Sequence, residues 1–152
     1  MRLCYSHSMI KLIKSTFYKE KETKKKLIEF ISKSKQLSIG EECRKFENDF
    51  SKWQGRRHCV MVNSGSSANL AVIQALLNMG KIKKGDKVGF SAVTWSTNVM
   101  PLIQLGLIPI PIDIELNTLN VSSSKLIETL RHNDLKMLYL TNLLGFCDDI
   151  DI

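Results

Sequence analysis

Apolar positions along the chain follow two rhythms, and the change between them divides it. From Glu22 to Ser34, Leu27, Ile28, Phe30 and Ile31 stand among lysines, a spacing that predicts an amphipathic helix. Gly40 in "LSIGEE" breaks the pattern. Cys43, Phe46, Phe50 and Trp53 then recur at steps of three, four and three. They predict a second helix, Glu41–Trp53, with a single apolar face and a stop at Gly55.

Beyond Gly55, short apolar runs alternate with helical stretches. Strands are predicted over His58–Val62, Lys87–Phe90, Leu107–Ile112 and Lys136–Thr141, and helices over Ser66–Met79, Trp95–Leu105 and Ser124–Arg131. Pro101 falls inside the second of these helices and predicts a kink or a late start. Pro109 and Pro111 each remove a ladder donor, so their strand belongs at an edge. Ser122 or Ser123 is placed to cap the last helix. Such alternation predicts an α/β protein, a three-layer α/β/α arrangement around a mostly parallel sheet. The closing "LYLTNLLGFCDDIDI" delivers a strand and a loop without the helix expected next, which reads as a truncated domain.

Charge changes this picture less than its total suggests. The formal net charge is +7. Residues 1–36 hold ten basic side chains against three acidic ones, whereas the remainder holds twelve of each. The excess is thus a solvated lysine face, and basic residues are not interleaved with stacking aromatics, so no nucleic-acid partner is expected. No apolar run approaches the ~20 residues that span a bilayer, and no secretory signal is expected at the N-terminus, which has no long apolar core and no small-residue cleavage site. Cys4, Cys43, Cys59 and Cys147 form no close pairs, and the three histidines are scattered. Neither a zinc site nor a disulfide framework is expected, and a cytoplasmic location fits.

Candidate chemistry sits in two junctions. In "VNSGSSANLAVIQALL" an apolar run meets Asn, Ser and Gly and continues at once as a helix. The first turn of a helix has unpaired N–H groups and partial positive charge, which suit an anion. Gly65 permits close backbone approach, and Ser66 and Ser67 add hydroxyls. With no lysine in the motif, a phosphate would be held by neutral donors. The competing reading is local: Ser64 or Ser66 caps the helix and Gly65 makes the turn. The second junction, "SAVTWSTN", places Trp95 among Ser91, Thr94, Ser96 and Thr97 at the end of the next strand. There Trp95 either stacks on a flat aromatic ligand or fills the core. Two such junctions on successive strands would face one crevice, and a phosphate socket beside an aromatic platform describes pyridoxal phosphate.

The segments "FENDFSKWQG", "VNSGSSANLAV", "KKGDKVGFSAVTWSTNVMPLIQLGLIPIPIDIELNTLNV" and "LYLTNLLG" together resemble the DegT/DnrJ/StrS family of fold-type-I pyridoxal-phosphate enzymes. These are mostly aminotransferases acting on nucleotide-linked keto sugars in surface polysaccharide and sugar biosynthesis. "VNSGSSANL" and "PLIQLGLIPIPIDI" also resemble the branch of sugar 3-dehydratases that use the pyridoxamine form. The resemblance implies that residues 37–152 are the N-terminal part of a cofactor-binding large domain, following the basic segment and helix of residues 1–36. It implies cofactor contacts from Gly65, Ser66, Ser67 and Trp95, an architectural role for Asp113, and a substrate-facing loop at Gly40. Its implied partners are a nucleotide-linked keto sugar, an amino donor and, for the full-length enzyme, a second copy.

The chain departs from the family at Asn142, where His is usual, and at Cys147, where Pro is frequent. The family's Schiff-base Lys and pyridine-pairing Asp would fall downstream, the latter beyond Asp148, Asp149 and Asp151. The chain alone is therefore expected to be inactive. The alternative of a different class is a stand-alone binding module that has lost catalysis.

Overall fold

A computed structural model of the chain describes residues 16–147 and residue 150. Asp148, Asp149 and Asp151 lie outside the described residues. The chain forms two compact units that meet in sequence at Met61 and Val62.

The first unit holds α1 (Glu20–Lys33) and α2 (Glu41–Trp53). Along α1, Lys24 pairs with Glu20 and Lys26 with Glu22, one turn apart. The Lys26 ammonium holds the Glu22 carboxyl below its ordinary range and is itself raised by that carboxylate. Both groups are exposed, so they steady the helix surface only slightly. On α2 the predicted apolar face is a ladder of rings, Phe46 stacking on Phe50 at 5.6 Å and Phe50 meeting Trp53 at 5.5 Å.

The strand expected over His58–Val62 does not form, and the chain there is irregular. A strand exists only through a ladder partner. The Met61 N–H instead donates to the Glu47 carboxylate at 2.7 Å, and Val60 and Met61 are 79% and 53% exposed.

The second unit runs α3 (Gly65–Asn78), β1 (Lys87–Ser91), α4 (Ser96–Gln104), β2 (Ile108–Ile112), α5 (Ser123–His132) and β3 (Leu135–Tyr139), then a single 3-10 turn at Leu143–Gly145. The strands lie parallel in the order β2-β1-β3, which puts the proline-bearing strand at an edge as expected. Helices stack on both faces. Ile73 of α3 and Leu102 of α4 pack with Val88 and Leu107 in one buried cluster. Leu126 of α5 packs with Ile112, Ile114 and Val121 in the other. This is the three-layer α/β/α arrangement. Ser122 caps α5, its hydroxyl accepting from the Lys125 N–H.

β3 stops at Tyr139, two residues short of the expected Thr141. The reason is local: the Thr141 N–H donates to the Ser91 hydroxyl at 3.0 Å and so leaves the backbone ladder. No helix among the described residues is long and apolar enough to cross a membrane.

Candidate functional site

The carboxyl ends of β1 and β3 and the N-termini of α3 and α4 converge in the second unit. α3 begins there because Ser64, in extended conformation, caps it: the Ser67 N–H donates to the Ser64 hydroxyl at 3.2 Å. The Ala68 N–H takes the Ser64 carbonyl. The amides of Gly65 and Ser66 come first in the helix and have no carbonyl one turn back within it.

Gly65 does not make a turn. Its backbone lies outside the left-handed region, and a Cβ added there would meet nothing within 4 Å. Neither conformation nor packing within the described chain asks for glycine, which costs up to ~1 kcal/mol against alanine in a helix. The Gly65 position thus opens onto free space beside unpaired amides.

Ser66, Ser67 and Leu70 of α3 face Thr97, Pro101 and Gln104 of α4 across a shallow groove of ≈ 280 Å³. Ser66, Ser67 and Thr97 are uncharged, so any anion held here meets neutral donors and the positive end of the α3 dipole. Trp95 immediately precedes α4 and is 73% exposed. It therefore does not fill the core of this unit. It does not line the groove either. The structure brings Ser66 and Ser67 together with Thr97, puts Gly65 at the head of the same helix, and leaves Trp95 projecting to solvent at the end of β1.

A hydrogen-bonded network fixes these pieces, and its centre is Asn98, a residue the sequence reading did not single out. The Asn98 amide donates to Thr94 Oγ1 at 2.9 Å and to Thr141 Oγ1 at 3.0 Å. Its carbonyl oxygen accepts from Asn69 Nδ2 at 2.7 Å. Thr94 and Thr141 share a further bond of 2.6 Å. One residue from each of α3, α4 and β3's end, with Thr94 after β1, is thereby locked into a single arrangement.

Pro101 explains a second bond of Asn69. A proline in mid-helix leaves the carbonyl four residues earlier without its donor. That carbonyl belongs to Thr97, and Asn69 Nδ2 donates to it at 3.3 Å. The helix consequently runs through Pro101 without a late start. The signal lay in "SSAN" and "WSTN", which set an asparagine at the start of each helix. Only the packing of α3 on α4 turns the two toward each other. Asn69→Ala leaves the Thr97 carbonyl and the Asn98 amide oxygen unpaired, and should lower stability by ~1–3 kcal/mol in a denaturant melt.

Two other positions resolve outside the groove. Asp113, just past β2, accepts from the Ile114 N–H at 2.9 Å and lies 3.6 Å from the Lys125 ammonium on α5. Gly40 caps α2 in the first unit. Cys43, Cys59 and Cys147 are free thiols.

Comparison with known proteins agrees on one lineage. The profile of the DegT/DnrJ/EryC1/StrS aminotransferase family matches residues 18–152. GDP-4-keto-6-deoxy-D-mannose 3-dehydratase of Escherichia coli O55:H7 is 40% identical over 128 residues, 83% of this chain and 33% of that protein. The solved E. coli GDP-4-keto-6-deoxy-D-mannose-3-dehydratase with bound hydrated PLP superposes with a TM-score of 0.69 at 39% identity, over 77% of this chain and 30% of that one. The aminotransferase from Psychrobacter cryohalolentis, 23% identical with a TM-score of 0.59 over 76% of this chain and 28% of its own, shares the fold. The chain spans about a third of the length of the curated relatives it matches.

Proposed function

This chain belongs to the DegT/DnrJ/EryC1/StrS aminotransferase family, and on that premise we propose that it holds the phosphate and ring of pyridoxal 5'-phosphate, or of its pyridoxamine form. It does so as the N-terminal part of an enzyme acting on a nucleotide-linked keto sugar in the cytoplasm. The observation that carries this reading is Gly65: a helix-starting glycine that neither packing nor backbone conformation calls for, beside two unpaired amides and the Ser66 and Ser67 hydroxyls. A phosphate monoester needs such a cluster of short donors with nothing in the way.

When bound, the cofactor's pyridine ring supplies an electron sink for deprotonation beside the amine. The described residues bind and orient. Gly65 and Ser66 offer amides to the phosphate, and Ser66 and Ser67 add hydroxyls. Trp95 presents an indole face free to lie on a ring. Asn98 and Asn69 hold the starts of α3 and α4 in fixed register. Moving the proton falls to none of them. The full-length enzyme takes an amino donor and pairs with a second copy in this reading.

Amino transfer to the keto carbon is the reaction after which the family is named. A second reading, loss of the C3 hydroxyl as water, is favoured by a specific observation. The relatives at 39–40% identity are named 3-dehydratases, whereas the aminotransferase compared above stands at 23%. Nitrogen on the sugar product of the full-length enzyme would mark the first reaction, and a nitrogen-free 3-deoxy sugar the second.

The binding reading is tested by titrating the chain with pyridoxamine 5'-phosphate, whose amine does not condense with lysines, while following backbone amides by NMR. Gly65 and Ser66 should shift with the phosphorylated ligand and not with pyridoxamine. Equal response to both, or none, would remove the phosphate socket. Trp95→Ala should weaken binding of the ring without altering the shifts that inorganic phosphate causes at Gly65.

A further inference from the structure

The two helix starts beside the groove are held by different means. α3 has its own cap: the Ser64 hydroxyl and carbonyl accept from the Ser67 and Ala68 N–H groups. α4 has no such cap, because Trp95 stands at the cap position and gives the helix no side-chain hydrogen bond. Ser, Thr, Asp and Asn ordinarily close a helix start, whereas an indole N–H only donates and cannot accept from the backbone. Helix formation therefore does not ask for tryptophan at 95.

Asn98, in the first turn of α4, fixes Trp95 instead. Its backbone N–H donates to the Trp95 carbonyl at 2.9 Å. Its side-chain amide donates to the hydroxyl of the preceding residue, Thr94, at 2.9 Å. One residue thus grips the backbone on both sides of the indole. The other amide proton goes to Thr141, just past β3, at 3.0 Å, so both donors of the amide are spent. The amide oxygen accepts from Asn69 on α3 at 2.7 Å, one helical turn from Gly65 and Ser66. A single side chain therefore connects the segment that carries the indole with the helix that carries the unpaired amides.

We propose that Asn98 is a positioning residue: it fixes the Trp95 indole relative to the Gly65 and Ser66 amides, and so governs ring binding without touching the ligand. This inference rests on the cofactor reading above. The phosphate and the ring of pyridoxamine 5'-phosphate are joined by one methylene–oxygen link, so amides and indole serve the same molecule only at one separation. Loss of the Asn98 side chain frees Thr94 and Trp95 but not the start of α3. That start keeps its Ser64 cap, and Asn69 keeps its bond to the Thr97 carbonyl. Ring affinity should fall while phosphate affinity stays.

The test is a double-mutant cycle read by backbone amide NMR, with pyridoxamine 5'-phosphate and inorganic phosphate titrated separately. Asn98→Ala should weaken pyridoxamine 5'-phosphate binding ~3- to 10-fold, the scale of one lost aromatic contact. Affinity for inorganic phosphate should hold within ~2-fold. In a Trp95→Ala chain, Asn98→Ala should cost nothing further, because it acts through the indole. Thr94→Val keeps the branched shape, removes the hydroxyl that Asn98 holds, and should give the same selective loss. It decides the matter if Asn98→Ala does not fold. Equal weakening of both ligands, costs that add in the double variant, or unchanged affinity for pyridoxamine 5'-phosphate each overturn the proposal and leave the cofactor reading standing. An unaltered chain that binds neither ligand overturns the cofactor reading, and the proposal with it.

Discussion

Gly89→Ala is expected to destabilise the second unit by ~3 kcal/mol, lowering its melting temperature by ~12–24 °C. Gly89 is the middle residue of the central strand. A Cβ there would stand 2.7 Å from Ile112 Cδ1, 2.8 Å from Leu135 Cδ1 and 3.0 Å from Leu138 Cδ2. Side chains from both neighbouring strands close over the position that glycine leaves open. Leu138 is half exposed and can swing aside, but Ile112 is fully buried among Ile114, Val121 and Leu126. Relieving the clash means displacing a packed core residue or prising β2 from β1. Differential scanning calorimetry on the variant checks this. A melting temperature within a degree or two of the parent would mean that the α5 layer yields more readily than its packing indicates.

Gly65→Val should act in the reverse sense, leaving the fold intact while weakening ligand binding. A side chain at 65 meets no protein atom, so the melting temperature should hold or rise slightly as helix propensity improves. The same side chain would occupy the space through which a phosphate reaches the Gly65 and Ser66 amides. Each charge-assisted bond is worth ~1.5–3 kcal/mol, so the dissociation constant for pyridoxamine 5'-phosphate should rise at least ~10-fold. The NMR titration described above gives the dissociation constant, and differential scanning calorimetry gives the melting temperature. Unchanged affinity with an unchanged melt would return Gly65 to the status of an incidental helix start. The pair of glycines thus separates a position held by packing from one proposed to serve ligand binding.

Periodicity and local chemistry were enough to place most elements. The helices follow the apolar spacing: α2 runs over Glu41–Trp53 as expected, and α3, α4 and α5 lie within a residue or two of their expected bounds. Caps at Ser64 and Ser122, and the edge position of "IPIPI", follow from what hydroxyls and prolines do to a nearby backbone. Each of these depends on neighbours within about a turn, so one sequence suffices.

His58–Val62 was misread because a strand is a property of two segments, and apolar content alone supplies only one. Asn69, Asn98 and Thr141 went unrecognised for the same reason. Nothing in "SSAN", "WSTN" or "LYLTN" shows that three segments separated by more than twenty residues share one set of hydrogen bonds. Gly89 is the place where three side chains from the flanking strands meet, a relation no single stretch of sequence shows. Gly65, conversely, reads as a turn residue, and the tertiary structure removes that explanation. What the amino-acid order determined unaided was therefore local: helix phase, caps, edge prolines and the family's motif series. What required the folded chain was every relation between segments, because hydrogen bonds and packing across the sheet depend on distances in space that separation along the chain does not encode.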